Sequence, residues 1–108
     1  MTMFDERERA FEQMFVHDAE MRFRALARRN KLLACWAADQ LGLGAREAEA
    51  YMRRAVEAVI DPDADADVPR RLAADLGAVS NYWTEDRLRQ VMAEFMAKAV
   101  TEVRAQAS

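Results

Sequence analysis

Residues 19–41 read AEMRFRALARRNKLLACWAADQL, and this stretch decides the fold. It contains no Gly or Pro, and Gly42 follows it directly, where a glycine commonly ends a helix. Glu20 and Arg24 form an acid-before-base pair four residues apart, which supports a helix. A mostly apolar stripe recurs at steps of three and four; its members are Ala19, Phe23, Leu26, Ala27, Asn30, Leu33, Ala34, Ala37 and Leu41. We therefore predict one long helix, against which the remaining chain packs.

The composition predicts an all-α protein with a single core. Of 108 residues, 52 % are hydrophobic and 32 % charged, a mixture that suits a folded helical domain. The formal net charge of −3 disfavours a nucleic-acid reader, which usually has a basic domain. No apolar run approaches the roughly 20 residues of a membrane span. The single cysteine excludes an internal disulfide, and with no signal peptide visible we expect a cytoplasmic protein.

Three further helices follow the central one. They are predicted over 45–60, 67–76 and from 85 to about 106, with Asp65 or Asp67 capping the second of them and Thr84 the third. The intervening segment with Val79, Tyr82 and Trp83 is expected to cover one end of the core. Inward positions are assigned by spacing to Ala48, Tyr51, Met52, Ala55, Val56, Val59, Val68, Leu72, Leu76, Leu88, Val91, Met92, Phe95, Ala99 and Val103. Short links between four amphipathic helices predict an antiparallel four-helix bundle over residues 19–108.

The N-terminal segment 1–18 is predicted to overhang this bundle. A helix running from residue 5 to 41 would be roughly 55 Å long, whereas a body of this size is only about 35 Å across. Phe4, Phe11 and Phe15 share one face of that overhang. We expect an arm that is mobile when free and becomes helical against a partner. The alternative is that the arm folds back onto the bundle.

The sequence shows no set of residues whose spacing would place a catalytic site in one location. His17 and Cys35, which are single in the chain, would stand about 27 Å apart on a continuous helix, too far for a nucleophile pair. Cys35 is expected to be a small buried or half-buried residue, and Trp36, Tyr51, Tyr82, Trp83 and Phe95 are expected to fill the core. The aspartates of the 61–67 loop lack the glycine and glutamate of a calcium loop. We predict neither an enzyme nor a bound metal or cofactor.

Positive charge concentrates on the central helix, at Arg22, Arg24, Arg28, Arg29 and Lys31. One interpretation is a solvated face whose arginine stems cover the edge of the core. The other is a docking surface for an acidic partner or for phosphates.

Several sequence motifs in the N-terminal half of the chain resemble those of one protein family. The segments are FDERERAFE (4–12), Phe15, HD (17–18), Phe23, ARRNKLL (27–33), WAA (36–38), LGL (41–43) and AEAY (48–51). This string is similar to the zeta subunit family, the inhibitors of the F-type ATP synthase of alphaproteobacteria, also catalogued as a domain of unknown function.

The resemblance implies a four-helix bundle that inhibits ATP hydrolysis by the F1 part of the synthase, at the cytoplasmic face of the inner membrane. It implies that the N-terminal arm enters a catalytic interface between α and β subunits and touches the γ stalk. The residues carried over as partner-binding are Phe4, Asp5, Glu6, Arg7, Arg9, Phe11, Glu12 and Phe15. Some members of the family bind adenine nucleotides weakly, so a second hypothesis is a regulatory module that binds ADP or ATP on Arg22, Arg28, Arg29 and Lys31.

Overall fold

The computed structural model describes residues 19–61, 63 and 66–107, and this part of the chain forms four α-helices. They are α1 (Ala19–Leu41), α2 (Ala45–Glu57), α3 (Val68–Leu76) and α4 (Glu85–Ala107). A 3₁₀ turn, Ala58–Ile60, extends α2, so the helix predicted over 45–60 tightens in its last turn. The described residues contain no strand, and the predicted all-α class is confirmed.

The first helix α1 lies at the centre and contacts each of the others. Near its start, Ala25 packs against Val100 and Val103 at the end of α4. Near its end, Leu33 shares a cluster with Leu88 from the start of α4. The two longest helices are therefore antiparallel, and the predicted bundle is confirmed.

The core consists of two clusters along α1. The larger joins α1, α3 and α4 through Leu33, Ala37, Leu72, Leu76 and Leu88, of which Leu76 and Leu88 are fully buried. The smaller joins α1 and α4 through Ala25, Val100 and Val103. In contrast, α2 has no fully buried residue, and its half-buried Tyr51 packs against the larger cluster from outside.

Local signals position the helix ends. Gly42 adopts φ 68°, while the N–H groups of Gly42 and Leu43 donate to the carbonyls of Asp39 and Ala38 at 3.2 and 3.0 Å. This pattern is the Schellman motif, and it explains why α1 ends at a glycine. At the start of α4, the N–H of Arg87 donates to the Thr84 hydroxyl at 3.2 Å, which confirms Thr84 as the cap.

Five side chains that the sequence placed inside lie outside, and Ala19 at the start of α1 is one of them. Phe23, Val79 and Tyr82 are 48, 54 and 57 % exposed, and Cys35 is also exposed. Phe23 lies between Met21 and Ala25, which both pack in the smaller cluster, whereas Phe23 does not belong to that cluster. Val79 and Tyr82 lie on the turn between α3 and α4, where only the neighbouring Trp83 reaches the core.

The predicted arm lies outside the described residues. This holds for Phe4, Phe11, Phe15 and His17, and for the part of the long first helix before Ala19. Among the four helices that are described, none is long and apolar enough to cross a membrane.

Candidate functional site

The cationic residues of α1 do not form one free surface. Arg22 and Lys31 are exposed, whereas Arg24 pairs with Glu20 at 3.4 Å. Arg28 forms an ion pair with Glu102 of α4, and both side chains are partly buried. A ligand on this face would therefore have to compete with Glu102 for Arg28.

Arg29 is buried, so the interpretation that places it on a solvated face is wrong, whereas its place in a nucleotide site stays a prediction. Its Nε and Nη2 atoms donate to the Oδ1 atom of Asn30 at 2.9 and 2.7 Å. The Nδ2 atom of Asn30 in turn donates to the backbone carbonyl of Ala55 at 2.8 Å. This carbonyl lies in the last turn of α2, where helix carbonyls lack helical partners and a positive charge is favourable. The pair of residues thus fixes the end of α2 on α1.

This network had a sequence signal that pointed to it. Asn30 occupies an inward position of a mostly apolar stripe, and buried polar side chains are nearly always hydrogen-bonded. The spacing could not show that its partners would be Arg29 and a carbonyl 25 residues away.

A cleft of about 310 Å³ opens between α1, α2 and α3, and sequence reasoning missed it. Its floor and walls are largely apolar, and its charged side chains are Arg54, Arg71 and Asp75. Its lining residues are Asn30, Leu33, Ala34, Tyr51, Arg54, Ala55, Ala58, Val68, Arg71, Leu72, Ala74 and Asp75. The helix α2, which has no fully buried residue, forms one wall of the cleft through Tyr51, Arg54 and Ala55.

Tyr51 connects two walls of the cleft. Its hydroxyl donates to the Oδ2 atom of Asp75 in α3 at 2.9 Å, and the guanidinium carbon of Arg54 lies 5.8 Å from its ring centroid. Burial raises the pKa of Tyr51, and the hydrogen bond and negative charge of Asp75 raise it further. The charges of Arg54 and Arg71 lower this pKa, so both guanidinium groups act on the same hydroxyl. Tyr51 therefore stays neutral and remains a hydrogen-bond donor.

A cluster of aromatic side chains lies near the end of α1 that is far from Ala19. The rings of Trp36 and Trp83 meet edge to face with centroids 4.8 Å apart, and Trp83 meets Tyr82 in the same way at 4.9 Å. The guanidinium carbon of Arg87 lies 4.4 Å from the Tyr82 ring centroid. The predicted core packing is confirmed in part, since four of the five aromatic side chains pack against the larger cluster while only partly buried: Trp36, Tyr51, Trp83 and Phe95. The prediction is wrong for Tyr82, which is exposed.

Across the residues that the structure covers, no three His, Cys, Asp or Glu side chains come together in a way that could hold a metal ion. The described residues thus form a small all-α bundle that has an amphipathic cleft and the exposed ring of Phe23 near the start of α1.

The family follows from comparison with known proteins. The sequence model of the family described as ATPase inhibitor subunit zeta matches residues 1–102, and the chain belongs to this family. The resemblance read from the N-terminal half is thereby confirmed. The family description names an inhibitor subunit of an ATPase, which implies a regulatory role in association with the ATPase. A comparison with curated proteins gives no match.

Proposed function

We propose that this protein inhibits ATP hydrolysis by the F1 part of F-type ATP synthase, and that its segment 1–18 does so by entering a catalytic interface between α and β subunits near the γ stalk. The observation that carries the proposal is the family match, which begins at residue 1 and so includes this segment. The family description states that its members inhibit an ATPase. The insertion of segment 1–18 between the α and β subunits is our inference.

The sequence of the segment suits a helix that folds on its partner. Phe4, Phe11 and Phe15 offer spaced apolar anchors of the kind that helix-in-groove recognition uses. Asp5, Glu6, Arg7, Arg9 and Glu12 would supply the charged contacts around them. Ordering such a segment costs free energy on binding, which lowers the affinity for a given contact area but permits deep insertion.

The start of α1 supports the same proposal. Phe23 is 48 % exposed although it is a large apolar side chain on a helix of the bundle. It comes eight residues after Phe15, and in a continuous helix this spacing keeps both rings on the same broad side. We infer that Phe23 extends the contact surface of the arm onto the bundle. The bundle would then remain outside the interface and hold the arm in place.

The location of the protein in the cell follows from its proposed partner, the F1 head. A protein bound to the F1 head would lie at the cytoplasmic face of the inner membrane, where the head faces the cytoplasm.

The test compares the full chain with a variant lacking residues 1–17, added to F1-containing membranes from which the native inhibitor has been removed. We expect the full chain to suppress ATP hydrolysis and the truncated variant to leave it unchanged, with synthesis measured in the same membranes. Circular dichroism and thermal unfolding of the variant check that its helical bundle is retained. Full inhibition by a folded truncated variant would refute the role of the arm.

A further inference from the structure

We propose that the cleft between α1, α2 and α3 binds an amphipathic monocarboxylate, with the carboxylate on Arg54 and Arg71 and the apolar body on the floor below. The proposal rests on the geometry of the cleft and not on the proposed function, so either can fail without the other.

The size and depth of the cleft suit a small ligand. Its volume of about 310 Å³ lies at the lower end of the range for small-molecule sites, which begins at roughly 300 Å³. The floor is formed by Leu33 and Ala34 of α1, which are 2 and 1 % exposed, and by Leu72 of α3. An apolar chain placed there would be removed from water on several sides.

The charges at the cleft select an anion. Arg54 of α2 and Arg71 of α3 both line the cleft, so two guanidinium groups from separate helices belong to one site. Among the described residues, no carboxylate forms an ion pair with either of them, in contrast to Arg28 and Arg70. Guanidinium groups bind carboxylates with directed, charge-assisted hydrogen bonds.

The negative charge of Asp75 sets the charge of the ligand. Two arginines and one aspartate leave a single positive charge at the cleft, which a monoanion neutralises. The hydroxyl of Tyr51 already donates to Asp75, so it fixes this carboxylate at the wall and leaves the arginines as the groups that face the ligand.

The probe is octanoate, titrated into the full chain while backbone amide shifts and the melting temperature are measured. Octanol and octylammonium are titrated in parallel, because they carry the same apolar body with no charge or with the opposite charge. We expect octanoate to shift amides of the cleft and raise the melting temperature, with octanol and octylammonium at least tenfold weaker. Equal effects of octanoate and octanol, or no octanoate binding, would overturn the proposal.

Matched variants locate the head group. Arg54→Gln and Arg71→Gln should each weaken octanoate binding by about tenfold, the loss expected for a charged hydrogen bond. Arg53→Gln is the control, since Arg53 neighbours Arg54 on α2 but is exposed and does not line the cleft. A loss of binding in Arg53→Gln equal to that in Arg54→Gln would show an unspecific charge effect and overturn the proposal.

A third variant tests the apolar body without removing charge. Ala74 lines the cleft but is itself exposed, so Ala74→Leu should be tolerated by α3 and narrow the cleft. We expect weaker octanoate binding although both arginines remain. ADP is titrated as a separate probe, and cleft shifts caused by ADP but not by octanoate would assign the cleft to a different ligand class and refute the proposal.

Discussion

The side-chain amide of Asn30 donates a hydrogen bond of 2.8 Å to the backbone carbonyl of Ala55, and this contact joins α1 to the last turn of α2. The same Asn30 accepts two hydrogen bonds from Arg29, and both residues are buried. The apolar side chains on the inner face of α2 are only half-buried, so this contact and the bond from Tyr51 to Asp75 add directed attachments to its packing.

The first prediction concerns this attachment. Asn30→Ala should lower the free energy of unfolding by about 2–3 kcal/mol, because it removes the hydrogen bond to the Ala55 carbonyl and the two hydrogen bonds that Asn30 accepts from Arg29. Urea denaturation followed by circular dichroism measures the change. Asn81→Ala is the control, since Asn81 is exposed. Equal effects of the two substitutions would contradict the assigned role of Asn30.

The second prediction concerns the larger core cluster. Leu88→Ala should lower the free energy of unfolding by roughly 2–5 kcal/mol, because Leu88 is fully buried and its loss leaves a cavity. Val79→Ala should change it by less than about 0.5 kcal/mol, since Val79 is 54 % exposed. The reverse order in denaturant midpoints would show that the turn, and not α4, completes the core.

The third prediction concerns pH at the alkaline end. Burial and the bond to Asp75 raise the pKa of Tyr51 above its ordinary value of 10.0, so the folded protein keeps a proton that the unfolded chain loses. The contribution of this group to stability is fully present below pH 10 and declines as the pH rises above it. Thermal unfolding between pH 9 and 11 should therefore show a steeper loss for the native chain than for Tyr51→Phe. Parallel curves for the two proteins would rule this out.

The fourth prediction concerns pH at the acidic end. The Nε and Nη2 atoms of Arg70 donate to the two carboxylate oxygens of Asp67 at 2.6 and 2.9 Å, and this bond lowers the pKa of Asp67. The stability contributed by the pair is present above the ordinary pKa of 3.8 and is lost as the pH falls through the lowered value. Carboxyl-carbon NMR should show the pKa of Asp67 rising toward 3.8 in Arg70→Gln and unchanged in Arg87→Gln. An unchanged pKa in Arg70→Gln would remove the assigned cause.

The helix bounds could be predicted because their signals are local. Gly42 supplies the positive φ that ends α1, Thr84 caps α4 with its own hydroxyl, and Pro69 stands in the first turn of α3. Each of these acts within a few residues of its position in the chain, so a single sequence contains the information.

The depth of individual side chains could not be predicted in the same way. Helical spacing identifies the side of α1 that faces inward, but not which of its side chains are covered: Met21 and Ala25 pack in the smaller cluster, whereas Phe23 between them is exposed. The charge of Arg29 favoured solvent, and only the tertiary contact with Asn30 and the end of α2 explains its burial. The cleft combines Arg54 and Arg71 from two helices, and no sequence spacing connects them.

The proposed inhibition of the ATPase by the aromatic residues of segment 1–18 is tested most directly by replacing only those rings. ATP hydrolysis by F1 is measured against increasing amounts of the native chain and of a variant with Phe4→Ala, Phe11→Ala and Phe15→Ala, with Val79→Ala as the control at the far end of the bundle. We predict that half-inhibition needs at least about tenfold more of the triple variant than of the native chain, since anchor side chains dominate such interfaces. The control should behave as the native chain. Inhibition by the triple variant equal to that of the native chain would contradict the proposal.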